Sequence, residues 1–147
     1  MSNLNVPPET MNRVQVLQAE IEQLQSSLSA IEQQTSLISG AINSLESALM
    51  TERELEGKKV GDEILIPIGG SNLVLCTVKD PDHIFLSLGS GVTKRTTLEE
   101  AVTRNNLQLK NLKLNIEKFQ SQFTQFSEMV NVRRQELIQI AQQYQLV

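Results

Sequence analysis

Tryptophan is absent from this sequence, aromatic residues make up only 3% of it, and cysteine and histidine occur once each in 147 residues. Four Phe and one Tyr give few large anchors for a thick globular core. A single Cys76 forms no internal disulfide, and with His83 alone beside it there is no zinc ligand set, so no metal, redox group or other cofactor is expected. Long apolar runs are missing too, since none approaches the roughly 18 residues a membrane helix needs. The opening MSNLNVPPET lacks the basic start and apolar centre of a secretory leader. A net charge of -4 with no block of Lys and Arg is a poor match for a phosphate backbone. The expectation is a cytoplasmic protein with neither nucleic acid nor membrane as a partner.

What the chain does have is heptads. Val14, Leu17, Ile21, Leu24, Leu28, Ile31, Thr35, Ile38, Ile42, Leu45 and Leu49 step alternately by three and four, a seam with one polar member. Leu98, Val102, Asn105, Leu109, Leu112, Ile116, Phe119, Phe123, Phe126, Val130, Arg133, Leu137, Ile140, Tyr144 and Val147 repeat the pattern, with Asn105 and Arg133 as polar exceptions. Polar groups on such a seam fix register at some cost in stability, which is the reading adopted for Thr35, Asn105 and Arg133. Pro7 and Pro8 suit the beginning of the first helix, and Gly57 suits a stop just beyond its end. Thr97-Leu98-Glu99-Glu100 has the spacing of a capping box and starts the second helix near Leu98. The Phe119, Phe123, Phe126 stripe lies on the seam and reads as core.

Residues 1–56 carry two basic and eight acidic side chains, and residues 97–147 carry six basic and five acidic, so the two arms are expected to pair with each other. A short intervening segment makes that pairing antiparallel. With the first helix ending near Glu52, Val14 should face Leu137 and Leu45 should face Asn105. Tyr144 then lies opposite Val6, before the helix has begun, leaving Ile140, Tyr144, Leu146 and Val147 without a full helical partner. The bland alternative is that these last residues are frayed.

Residues 57–96 break the pattern with four short runs, EILIPIG, NLVLCTVK, HIFLSLG and GVTKRT. Gly69-Gly70-Ser71-Asn72 joins the first two and Gly89-Ser90-Gly91 the last two, which makes two β-hairpins in series. Neither glycine run has the spacing of a P-loop or a dinucleotide fingerprint. Asp80, Asp82 and His83 are too few and too loosely placed for metal binding or acid–base catalysis, and Cys76 reads as a small buried hydrophobe. No catalytic residue is assigned. ILIPI and LVLCTV are apolar on both faces, yet forty residues with one Phe cannot enclose them. Ile64, Ile66, Ile68, Leu73, Leu75, Ile84, Leu86 and Leu88 are therefore candidates for contact with another chain. Pro67, which donates no hydrogen bond, belongs at an edge or bulge.

The expected fold class is mainly α with a small β part: a long antiparallel two-helix coiled coil with two hairpins at its base. Residues 1–147 form one domain, with helix in 1–56 and 97–147 and assembly hairpins in 57–96. Helix, two hairpins and helix, with ILIPIGG, LSLGSGV and TLEEAV in that order, resemble the alpha class of the prefoldin family over nearly the whole chain. LVLCTV is more apolar than the strand the family usually has there. The resemblance implies an ATP-independent co-chaperone in which two alpha and four beta subunits form an α2β4 hexamer through their hairpins. Coiled-coil tips in such a complex hold unfolded proteins, prevent their aggregation and deliver them to a group II chaperonin. On that reading Met11, Val14, Ile138, Ile140, Tyr144 and Leu146 form the client-binding end. The rival readings are a structural coiled-coil adaptor, or a specialised paralogue that assembles alone or in another complex; an enzyme is the remotest.

Overall fold

A computed structural model describes residues 5–145. Helix α1 spans Pro8–Leu55, strands β1 and β2 span Glu63–Gly69 and Asn72–Thr77, β3 and β4 span His83–Gly89 and Val92–Thr97, and α2 spans Leu98–Gln143. Two compact units result, one from the residues up to Leu37 together with those from Ile116 onward, the other from Ile38–Asn115.

Local chemistry sets the helix ends. Pro8 opens α1, where its missing N–H is no loss, and the Met11 N–H closes the first turn on the Pro7 carbonyl at 3.1 Å. Gly57, at a φ of 78°, takes the left-handed conformation that ends the helix, and the Lys58 N–H returns to the Leu55 carbonyl at 3.1 Å. At the start of α2 the Glu100 N–H donates to Thr97 Oγ1 at 3.2 Å, the forward half of the expected capping box. The return half is different. Glu100's carboxylate accepts from the Thr96 hydroxyl, because Thr97 is still the last residue of β4 and pairs with His83.

In the first unit Leu17, Ile21, Ile31 and Val130 are buried. Arg13 makes a double contact with Glu136 at 2.7 and 2.9 Å, and Arg133 reaches Glu20 at 2.6 Å. Arg133, the polar interruption of the second seam, thus holds the acidic flank of α1. The mutual pairing keeps Glu136 ionised below the usual carboxylate range and pushes the Arg13 pKa up. Both groups are exposed, so the geometry fixes orientation more than it adds stability.

In the second unit Leu49, Leu98 and Ala101 are buried, and Lys113 approaches Glu46 at 3.5 Å. Asn105 is buried and donates through Nδ2 to Glu52 Oε1 at 2.8 Å. The antiparallel sense is as expected, but Asn105 meets a residue one heptad beyond Leu45. Helix α1 continues three residues past Glu52, which accounts for part of this seven-residue shift. Glu52 is only 5% exposed, and its Oε2 has no hydrogen-bond partner in the structure. Burial pushes its carboxyl pKa up, opposed in part by the Asn105 bond. Folding therefore favours the protonated form: the stability is full below the unfolded pKa and is lost as pH rises through the folded one. Glu52→Gln, which keeps an acceptor for Asn105 and removes the charge, is expected to raise Tm at neutral pH. A gain of about 1 kcal/mol moves Tm by roughly 2–4 °C in a chain of this size. The advantage should shrink on acidification, and a lower Tm for the variant at pH 7 would contradict it.

The hairpins form two separate two-stranded antiparallel sheets, β1-β2 and β3-β4. Their registers repeat at an offset of twenty residues, from Glu63 with Thr77 and His83 with Thr97 to Gly69 with Asn72 and Gly89 with Val92. Each register slips once, past Ile68 and past Leu88, and Pro67 sits beside the first slip. The turns are Gly70-Ser71 and Ser90-Gly91, with φ of 60° and 61° in one and 51° and 75° in the other. Two positive-φ residues in a row suit the right-handed twist of the flanking strands.

Candidate functional site

A two-stranded sheet leaves one edge of every strand unpaired, so the hairpins present four open edges. Their side chains are little better covered. In the first hairpin Leu65 pairs with Leu75, and both are exposed on one face with Leu73 next to Pro67. Ile64, Ile66, Val74 and Cys76 share the other face, where Ile64 is buried within its own chain and Ile66 and Cys76 are half-buried. In the second hairpin Phe85 opposes Arg95 and is 69% exposed, while Ile84 and Leu86 are half-buried on the opposite face. Ile68 and Leu88, the residues at the slips, are exposed.

The sequence-derived set thus divides. Ile68, Leu73, Leu75 and Leu88 are exposed, Ile66, Ile84 and Leu86 are half-covered, and Ile64 is already buried by its own chain. Leu65, Val74, Phe85 and Val92, all exposed, were missed. Alternation was the signal that could have found them. A strand that is apolar on both faces has two candidate sets, and Leu65 and Phe85 lie on the face that Ile66 and Leu86 do not.

Asp80 anchors the connection between the hairpins. Its carboxylate accepts from the Asp82 N–H at 3.0 Å, His83 Nδ1 at 3.1 Å and Arg95 Nη2 at 2.9 Å. Those three bonds, with the Asp82 amide foremost, lower its pKa to about 2. An open cleft of about 540 Å³ adjoins this knot, lined among others by Glu56, His83, Thr97 and Val102. No group of three or more His, Cys, Asp or Glu side chains is placed to hold a metal ion among the described residues.

The proposed client-binding residues lie in the first unit. Met11 and Ile138 are exposed, Val14, Ile140 and Tyr144 are half-buried, and Leu146 lies outside the described residues. Tyr144 is better partnered than the heptad count implied. With α1 beginning at Pro8, the Tyr144 and Thr10 hydroxyls come within 3.5 Å. Val16 and Val132, also exposed in this unit, lie off the seam and were not picked out by it. Among the described residues no helix is long and apolar enough to cross a membrane.

Comparison with known proteins gives these surfaces a context. A family model described as prefoldin subunit matches residues 17–143. The prefoldin subunit alpha of Methanosarcina mazei is 26% identical over 82% of this chain and 87% of its own. That of Methanococcus vannielii is 30% identical over 83% of this chain and 77% of its own. Among solved structures, a chain of a filamentous PFD from Methanocaldococcus jannaschii matches with a TM-score of 0.51 and 20% identity, covering 85% of this chain and 98% of that one. The antiparallel helices and paired hairpins are therefore those of a known architecture, and the chain belongs to the prefoldin subunit family as an alpha-type member.

Proposed function

We propose that this chain is the alpha subunit of an ATP-independent co-chaperone, joined through its hairpins to beta-class prefoldin subunits in an α2β4 hexamer. Its α1 start and α2 end hold unfolded proteins, prevent their aggregation and pass them to a group II chaperonin. It acts by binding, in the cytoplasm, and catalyses no reaction. The observation that carries this reading is the pair of hairpins with four open edges and exposed Leu65, Leu75 and Phe85. Open edges and exposed apolar side chains of this kind mark a surface for contact with another chain. Residues 1–147 then work as one module, with binding on the helices and assembly on the hairpins.

A second reading is assembly of this chain with copies of itself, favoured by the matching register of the two hairpins and by the filamentous assembly of the Methanocaldococcus jannaschii relative. Co-expression with a beta-class subunit from the same source, followed by native mass measurement, separates the two. The hexamer reading expects two copies of this chain per complex, and the second expects homopolymers that ignore the beta subunit. Addition of the purified complex to a chemically denatured enzyme should delay its aggregation, whereas a structural adaptor would leave the aggregation curve unchanged.

A further inference from the structure

Helix α2 carries an apolar stripe that its pairing with α1 does not use. With Val102 and Leu109 at a and Leu98, Asn105 and Leu112 at d, Leu107 and Leu114 both fall at f, the position farthest from a helical partner. They are 61% and 46% exposed. No other two exposed large apolar residues on the described helices are one heptad apart. Arg104 and Lys110 flank Leu107 three residues to either side, and both are exposed. Neither meets a carboxylate at ion-pair distance among the described residues, whereas neighbouring Lys113 reaches Glu46. A groove lined by Thr97, Glu99, Glu100, Thr103, Arg104 and Leu107 adjoins the start of this face, and its two carboxylates set Arg104 as the limit of the basic segment.

We propose that the outer face of α2 from Arg104 to Leu114 docks an acidic amphipathic helix of another protein. Leu107 and Leu114 stand about 10.5 Å apart along the axis, the interval at which a heptad-patterned helix repeats its apolar positions. Two unpaired cations beside that ridge are complemented by carboxylates flanking the incoming apolar residues. A second copy of this chain is a poor occupant: α1 is acidic, but no two of its exposed Met11, Val16, Leu37 and Met50 are one heptad apart, so it forms no matching ridge. Neither Arg104, Leu107, Lys110 nor Leu114 is a hairpin residue or a proposed client-binding residue, so co-assembly and client protection are read independently of this face.

The test uses the assembled protein and a fluorescein-labelled synthetic helix with Leu at heptad spacing flanked by Glu, beside the same helix with Lys for Glu. Anisotropy should show binding of the Glu peptide that weakens with salt and falls about tenfold or more in Leu107→Gln/Leu114→Gln. Arg104→Glu/Lys110→Glu should transfer the preference to the Lys peptide, with native mass unchanged in both variants. The proposal is overturned by absence of Glu-peptide binding, by equal binding of the two peptides, or by variants that bind as the parent does. Self-association of the parent complex that disappears in the leucine variant, without peptide binding, would assign the face to a second copy instead and equally overturn it.

Discussion

Leu75→Asp combined with Phe85→Asp is expected to abolish assembly with other prefoldin subunits while leaving the chain folded. Both side chains are largely exposed in the single chain, 62% for Leu75 and 69% for Phe85, so a carboxylate at either place meets water before assembly. After assembly it would not. Burying each native side chain against a neighbouring subunit is worth about 1.5–3 kcal/mol. Substitution forfeits that gain and places an unpaired charge in the contact, at a cost of several kcal/mol more. Two such losses far exceed the 1.4 kcal/mol that weakens association tenfold. Native mass should show a monomer with retained helical circular dichroism; a full-sized complex would contradict assembly through these faces. Ile64→Asp is the informative contrast, because Ile64 is buried within its own chain and its replacement should damage folding first.

The second large effect is expected at the helix ends. Deleting residues 139–147 removes Ile140, Tyr144 and Leu146 and should reduce protection of a denatured client several-fold at equal complex concentration. Met11→Gln with Ile138→Gln is the finer version, since both side chains are exposed and their loss leaves no cavity. Each apolar contact with a client is weak, and retention depends on several being made together, so losing two per subunit multiplies across the complex. Light scattering of a denatured enzyme, with native mass as the control, reads the result. Full protection by a correctly assembled complex of the truncated chain would remove the client role from this end.

Heptad counting carried most of the helical architecture. A seam of alternating threes and fours predicts both helices, and Pro8, Gly57 and Thr97 locate their ends through chemistry that acts over one turn. The facing pairs were less legible. Asn105 faces Glu52, one heptad beyond the expected Leu45, and the three residues by which α1 runs past Glu52 account for only part of that offset of seven. Sequence also hides which partner a polar seam residue finds. Arg133 and Asn105 read alike as interruptions, yet one meets a half-buried Glu20 and the other a buried Glu52 with an unpaired oxygen. On the hairpins, composition showed that the strands are apolar on both faces. Which of those faces the chain's own helices and turns cover is a tertiary fact, and Ile64 and Phe85 divided on it.

The twenty-residue repeat of the hairpin register gives the chain a valence. A subunit with one two-stranded sheet has two edges to share, whereas this one has four, carried on two sheets of matching design. In any network of such subunits it can serve as a branching node, and single-hairpin chains can serve as linear links. The ratio of the two kinds of chain then governs whether an assembly closes on itself or keeps growing.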